Sequence, residues 1–198
     1  YAGQRENAFN YSTEVIKASN NGIFPFVDRS LVNGTAQDPD RIFSPEVLFA
    51  LSDSQRGELF EEYFDPSLAP NMVFRMETDL LEQTIYGGTG TGGNLDDYRC
   101  RSNWISSGSA RYFYKYSDMT ESGRIENTMI PLLRLGEMYL IAAESQSNSL
   151  ANGVSYINTL RKNRGVSNLQ TLTTTLLQYE YIREVYGEGQ LFFMYKRM

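Results

Sequence analysis

Apolar and polar residues alternate with helical periods in several parts of this chain. Over residues 4–19, Ala8, Tyr11, Val15 and Ala18 recur at helical spacing with Ile16 beside them, and Asn20-Asn21-Gly22 closes the pattern. Residues 23–45 are irregular, punctuated by Pro25, Gly34, Pro39 and Pro45. The apolar run Val47 to Leu51 reads as a short strand or one turn of buried helix. Residues 53–62 read as a short helix capped at Ser52 or Asp53 and broken at Asp65-Pro66. Periodicity is weak over 66–85. Five glycines in seven residues then make Gly87 to Gly93 a flexible loop on composition. Tyr112 to Tyr116 (YFYKY) is aromatic and predicts a strand, followed by a polar loop over 117–127.

The clearest pattern is the last third. Pro131 stands where a helix begins. Leu133, Leu135, Met138, Tyr139, Ile141 and Ala142 make a wide stripe over 133–147, the mark of a helix buried on more than one side. Val154, Ile157 and Leu160 give a narrower stripe over 151–164, with Arg161, Lys162 and Arg164 as cations at its C-terminal end and Gly165 as the stop. Leu176, Tyr179, Ile182 and Tyr186 recur over 173–187, closed by Gly187 and Gly189. Successive helices on short links predict a bundle or helical-repeat architecture, though no clean period of about 34 residues shows.

Charge and composition narrow the chemistry. The net charge of −6 removes the clustered cations that nucleic-acid phosphates need. The chain has no histidine, which excludes within it any histidine base, Ser-His-Asp triad or histidine metal ligand. One cysteine, Cys100, leaves no intrachain disulfide. No apolar run reaches the length of a membrane span, and the opening YAGQREN lacks the features of a secretory leader. The Gly-rich loop lacks the Gly-Lys-Ser/Thr ending of a phosphate-binding loop.

The order of motifs carries a family resemblance. IPLLRLGEMYLIAAES resembles the segment "hP.hRhaEhYLhxAEA" (h, apolar) of the SusD/RagB family of outer-membrane nutrient-binding lipoproteins in Bacteroidetes-type bacteria. INTLRKNRG resembles that family's "hNxhRxRAG". IREVYGEGQLFFMYKR resembles "hRxEhxxEGxRhxDhxR", with Glu184, Glu188-Gly189 and Lys196-Arg197 in place; Gln190 and Met194 replace the usual Arg and Asp, and Glu180-Tyr181 the usual Glu-Arg pair. Upstream, RIFSPEVLFALS and the Tyr114 to Ser117 segment fit further family positions.

The resemblance implies a mainly α fold: a tetratricopeptide-like helical array over 130–198, a loop-rich part with one leading helix over 1–129, an irregular ligand face and a few short strands. It implies a single domain over 1–198 that is part of a longer chain, lacking an N-terminal half with a lipidated cysteine and the extreme C-terminus; internal Cys100 is not that cysteine. It implies glycan capture at the cell surface of the outer membrane and delivery to a partner TonB-dependent transporter of the SusC type. No reaction, cofactor or metal is implied, and the only membrane attachment is the lipid anchor. A peptide- or other nutrient-binding member of the same family and a helical-repeat interaction scaffold are the competing readings.

A glycan site needs aromatic faces against the apolar side of a sugar ring, with polar groups for its hydroxyls. NLDDYRCRSNW, residues 94–104, fits best. It places Tyr98 and Trp104 among Asn94, Asp96, Asp97 and Arg101, just after the glycines; Tyr86, on their other side, is a further candidate. The competing reading of this segment is a buried core Trp104 under a solvated charged loop. Glycoside hydrolysis needs two carboxyls roughly 5–9.5 Å apart across a cleft. Asp96-Asp97 and Glu61-Glu62 are merely adjacent in sequence, and Asp96-Asp97 carries no EF-hand spacing for calcium.

Overall fold

The computed structural model describes residues 3–32, 38–87, 90–120, 123–146 and 149–198. Helix α1 spans Arg5–Asn20, followed by the single turn α2, Arg29–Val32. Strand β1 is Val47–Ser52 and helix α3 Arg56–Tyr63, and a π-helical turn covers Leu80–Ile85. Helix α4, Tyr98–Asn103, runs straight into the hairpin β2, Trp104–Ser107, and β3, Ala110–Phe113. Strand β4, Met129–Arg134, leads into α5, Leu135–Glu144; α6, Val154–Asn163, α7, Thr174–Val185, and α8, Gln190–Arg197, complete the chain. The fold is mainly α, with two small antiparallel pairs among the described residues, β1 with β4 and β2 with β3. Among the described residues no helix is long and apolar enough to cross a membrane.

Helix α5 is the hub: α1, α6 and α7 all pack against it, and α8 packs on α7. Its Leu135, Tyr139, Leu140, Ala142 and Ala143 join Ile157 and Leu160 of α6, Leu177, Tyr181 and Val185 of α7, and Met194 of α8 in one core. Trp104, Phe113 and Tyr116 extend that core beneath the hairpin. Such contiguous burial is the dominant stabilising contribution in a fold of this kind, at roughly 25 cal/mol per Å² of apolar surface.

Several expected elements shift. Pro131 lies not in a helix but in β4, opposite Ala50, and α5 starts only at Leu135. A proline lacks the N–H that a central ladder requires, and a two-stranded pair with bulged register tolerates it. Leu133 accordingly points outward from a strand. The YFYKY strand is displaced: β3 ends at Phe113, and Tyr114 to Ser117 turns. On α1 the inward face is Ser12, Ile16 and Ser19, and Tyr11 is 68% exposed. On α7 the buried face is Leu177, Glu180, Tyr181, Ile182, Arg183, Glu184 and Val185, turned from the apolar stripe but keeping its Ile182.

That rotation of α7 has an ionic cause. Glu184 accepts from Arg164 (Nη2 to Oε1, 2.7 Å), from Arg134 Nη1 (2.8 Å) and from Arg99 Nη1 (3.1 Å). Glu180 accepts from Arg99 Nη2 (3.0 Å), Arg183 Nη1 (2.8 Å) and Arg161. Arg164 also holds Glu46 through two bonds of 2.7 and 2.6 Å, tying the loop before β1 to the end of α6. Glu188 joins Lys115 and Arg134. Burial alone would raise the Glu184 carboxyl, but Arg164 and Arg134 override it and hold it well below the usual carboxylate range. Burial likewise opposes ionisation of Glu180, and Arg99 and Arg183 prevail. The arginines and glutamates of the three family-like motifs therefore form the buried framework that fixes α4, β4, α6 and α7 to one another.

Candidate functional site

The segment after the glycine-rich run is built outward from this framework. Asp97 caps α4 by accepting from the Arg99 N–H at 2.9 Å, and its carboxylate grips the Arg99 guanidinium at 2.9 and 2.6 Å. Arg99 in turn reaches Glu180 and Glu184 of α7. Asn94 makes the preceding turn, accepting from the Asp96 N–H at 2.8 Å. The α4 chain direction then delivers Trp104 into β2, paired with Phe113 across a hairpin whose turn starts at Gly108 with φ of 60°.

These placements revise the candidate set. Tyr86 is core, 2% exposed, with its hydroxyl 3.5 Å from the Arg183 carbonyl. Asp97 is equally enclosed and committed to Arg99. Tyr98 is half-buried: it packs on the Val27, Val32 and Phe43 cluster, and its ring closes over Gly165. Tyr86 and Asp97 offer no free face, and Tyr98 is left only partly exposed. Trp104 is 2% exposed, its ring 5.0 Å from Phe113 and 4.9 Å from Tyr186. It is a core anchor, as expected for so large an apolar group. The glycine loop is tied rather than free where it is described: Arg183 donates to the carbonyls of Ile85 (2.8 Å) and Thr91 (2.9 Å). Gly88 and Thr89 lie outside the described residues.

The remaining candidates do come together. Asp96 and Arg101 form an exposed ion pair at the rim of a depression of about 370 Å³. Its lining includes the edge of Trp104, with Leu95, Ile105, Ser106 and Arg111. Arg111 is fixed there by Glu82 (2.7 Å) and by the Trp104 carbonyl (3.2 Å). The register of the hairpin sets Arg111 opposite Ser106, so both polar groups follow from the two-residue Gly108-Ser109 turn. That turn was the available sequence signal for Arg111. Cys100 forms part of the lining; burial, then Asp97, push its thiol up to about 12, so it stays a protonated, unreactive group. The depression is thus a shallow surface of polar arms around an apolar edge. It can hydrogen-bond a hydroxylated ligand and presents no activated nucleophile.

A sequence model of the SusD family matches residues 52–198. The chain belongs to the SusD family. Solved structures of this family share the fold. A SusD homolog from Bacteroides thetaiotaomicron superposes with a TM-score of 0.67 at 18% identity, over 98% of this chain and 45% of that one. A SusD-like carbohydrate binding protein from Bacteroides vulgatus gives 0.59 at 20% identity, over 96% of this chain and 40% of that one. Surface glycan-binding protein A from Bacteroides uniformis gives 0.60 at 16% identity, over 94% and 43%. This SusD-family chain therefore spans less than half the length of the structures it matches. No protein of curated function matches it.

Proposed function

We propose that this chain is part of a non-catalytic receptor that binds a glycan at the bacterial surface. Family membership and the sugar-binding character of the B. vulgatus and B. uniformis proteins support that reading. The observation in the chain itself that carries it is the depression beside Trp104. There Arg101, Arg111, Asp96 and Ser106 offer donors and acceptors beside the apolar side chains of Leu95 and Ile105 and the edge of the buried Trp104, a mixed polar and apolar lining that suits a hydroxylated ring. In the same reading the receptor is held on the outer membrane by a lipid anchor and hands its ligand to a SusC-type TonB-dependent transporter. Nothing is turned over: the glycan leaves as it arrived.

The test is affinity electrophoresis through gels containing a panel of soluble polysaccharides, with Arg101→Ala alongside. Arg101 is exposed, and its partner Asp96 is exposed too, so its removal leaves the core intact. A charged hydrogen bond to ligand is worth roughly 1.5–3 kcal/mol, so the variant should weaken binding about tenfold or more. Retardation that survives Arg101→Ala unchanged would remove the site from this depression. Failure of every glycan to retard the protein would favour a peptide or other nutrient as ligand.

A further inference from the structure

Strand β1 carries five apolar residues in a row, Val47 to Leu51, the pattern of a strand covered on both faces. In the structure it is covered on one. Val47 and Leu48 pack on the core, whereas Phe49 and Leu51 are each more than half exposed. The register sets Phe49 opposite Leu133 and Leu51 opposite Ile130 of β4, so these four side chains share the outer face of the pair. Leu133 is nearly as exposed as its partner. Helix α8 adjoins this face, because its first residue, Gln190, donates to the Leu132 carbonyl at 2.7 Å. The helix buries Met194 and leaves Phe192, Phe193 and Tyr195 each more than half exposed. Ile130 also lines an apolar groove of about 330 Å³ with Leu59, Tyr63 and Phe74. Singly exposed apolar residues are ordinary, but these are grouped. Phe49, Leu51, Leu133 and the three rings of α8 together expose on the order of 600 Å², the upper end for the largest apolar patch of a monomer.

The solved structures that share this fold give the scale of what can cover such a face. This chain accounts for 45%, 40% and 43% of the three described above. More than half of each therefore lies outside the shared part, a body larger than residues 1–198 themselves. We propose that the outer face of the β1–β4 pair, with the exposed side of α8, is the seam on which the further part of a longer receptor chain packs. The proposal rests on the reading of this chain as part of a longer receptor. Permanent interfaces are apolar and resemble a core cut in two, which is the character of this face. Lys196, over the Phe192 ring at 4.7 Å, supplies a cation at its rim, where polar groups belong. Covalent linkage favours this occupant over a second copy, because it holds the further part at an effective concentration of roughly millimolar. The seam shares no residue with the lining of the depression beside Trp104.

The experiment uses the full-length receptor, with a photoreactive benzophenone analogue of phenylalanine at position 193 and, separately, at position 49. Illumination is expected to join each position to a peptide outside residues 1–198, identified by mass spectrometry, while the product keeps the mass of a single chain. In the same receptor, Leu133→Ser and Phe193→Ser are expected to lower the thermal midpoint by several degrees, the loss that follows when a covered apolar side chain is made small and polar. At a solvent-exposed position the same change leaves the midpoint within about 1 °C. Cross-links confined to residues 1–198, cross-links to a second copy or to a separate protein, or serine variants as stable as the parent would overturn the proposal. Neither readout involves a sugar. A failed glycan titration therefore leaves the seam standing, and failure of the seam leaves the glycan site standing.

Discussion

Glu184 accepts from arginines on three separate elements: Arg99 of α4, Arg134 of β4 and Arg164 just past α6. Removing one partner of a buried ionic set leaves uncompensated charge, typically costing about 3–5 kcal/mol. Glu184→Ala should lower stability by about that amount, measured by chemical denaturation. The folded pKa of Glu184 is depressed, so the unfolded chain binds the proton first on acidification. The stability it contributes is complete above the unfolded value of about 4.3 and is lost as the pH falls below it toward the folded one. Glu137 has the opposite sign. Its pKa rises to about 7 in the folded state, so stability falls as the pH climbs from the unfolded value through about 7. Glu137→Gln should remove that decline and raise stability at pH 8 by about 1–3 kcal/mol. A variant no more stable than the parent at pH 8 would show that burial does not hold the folded carboxyl up near 7. At this scale the sequence was least legible. Tyr86, Asp97 and Trp104 have the residue types of a binding face, but Arg183, Arg99 and the rings of Phe113 and Tyr186 claim them for the interior. Composition along the chain does not show which partner a residue takes, whether two positions away, as Arg99 is from Asp97, or nearly a hundred, as Arg183 is from Tyr86.

Helix α7 shows the same limit for elements. An apolar period over 173–187 predicts the helix, since Thr173 caps it, accepting from the Leu176 N–H, and Gly187 follows its end at φ of 76°. It gives the inward face only in part: Ile182 lies in the core with Leu176, Tyr179 and Tyr186 against it, but a period count treats Glu180 and Glu184 as solvent-facing. The helix boundaries at α1, α6 and α7 follow from their stripes and stop residues. Pro131 misleads, because the same ring that favours a helix start also suits an edge strand. Helices α4 and α8 had no readable stripe: α8 exposes Phe192, Phe193 and Tyr195 and buries Met194 alone. The tight approach of α5 to α7 gives an element-scale test. A methyl group on Gly136 would collide with the Glu184 carboxylate. Gly136→Ala should therefore destabilise the fold by about 2 kcal/mol or more, although alanine is the better helix former. A thermal midpoint equal to or above that of the parent would contradict the observed closeness of the two helices.

For the molecule as a whole, the motif order over 130–197 carries the mainly α fold class, and the family match over 52–198 agrees with it. The structure explains why those motifs travel together. Arg134, Arg161, Arg164, Glu180, Glu184 and Glu188 belong to three segments of sequence and one buried network. They mark the scaffold rather than the ligand. The proposed ligand face lies in the less patterned segments that this scaffold positions, so family motifs say little about its specificity. The proposed glycan site is the depression where Arg101 and Arg111 flank the Trp104 edge. The most direct test is titration calorimetry of the parent and Arg101→Ala with oligosaccharides of whichever glycan retards the protein. The account predicts saturable binding without any change in the sugar, weakened about tenfold or more in the variant. Identical affinities in both proteins, or release of shorter sugars during the titration, would contradict it.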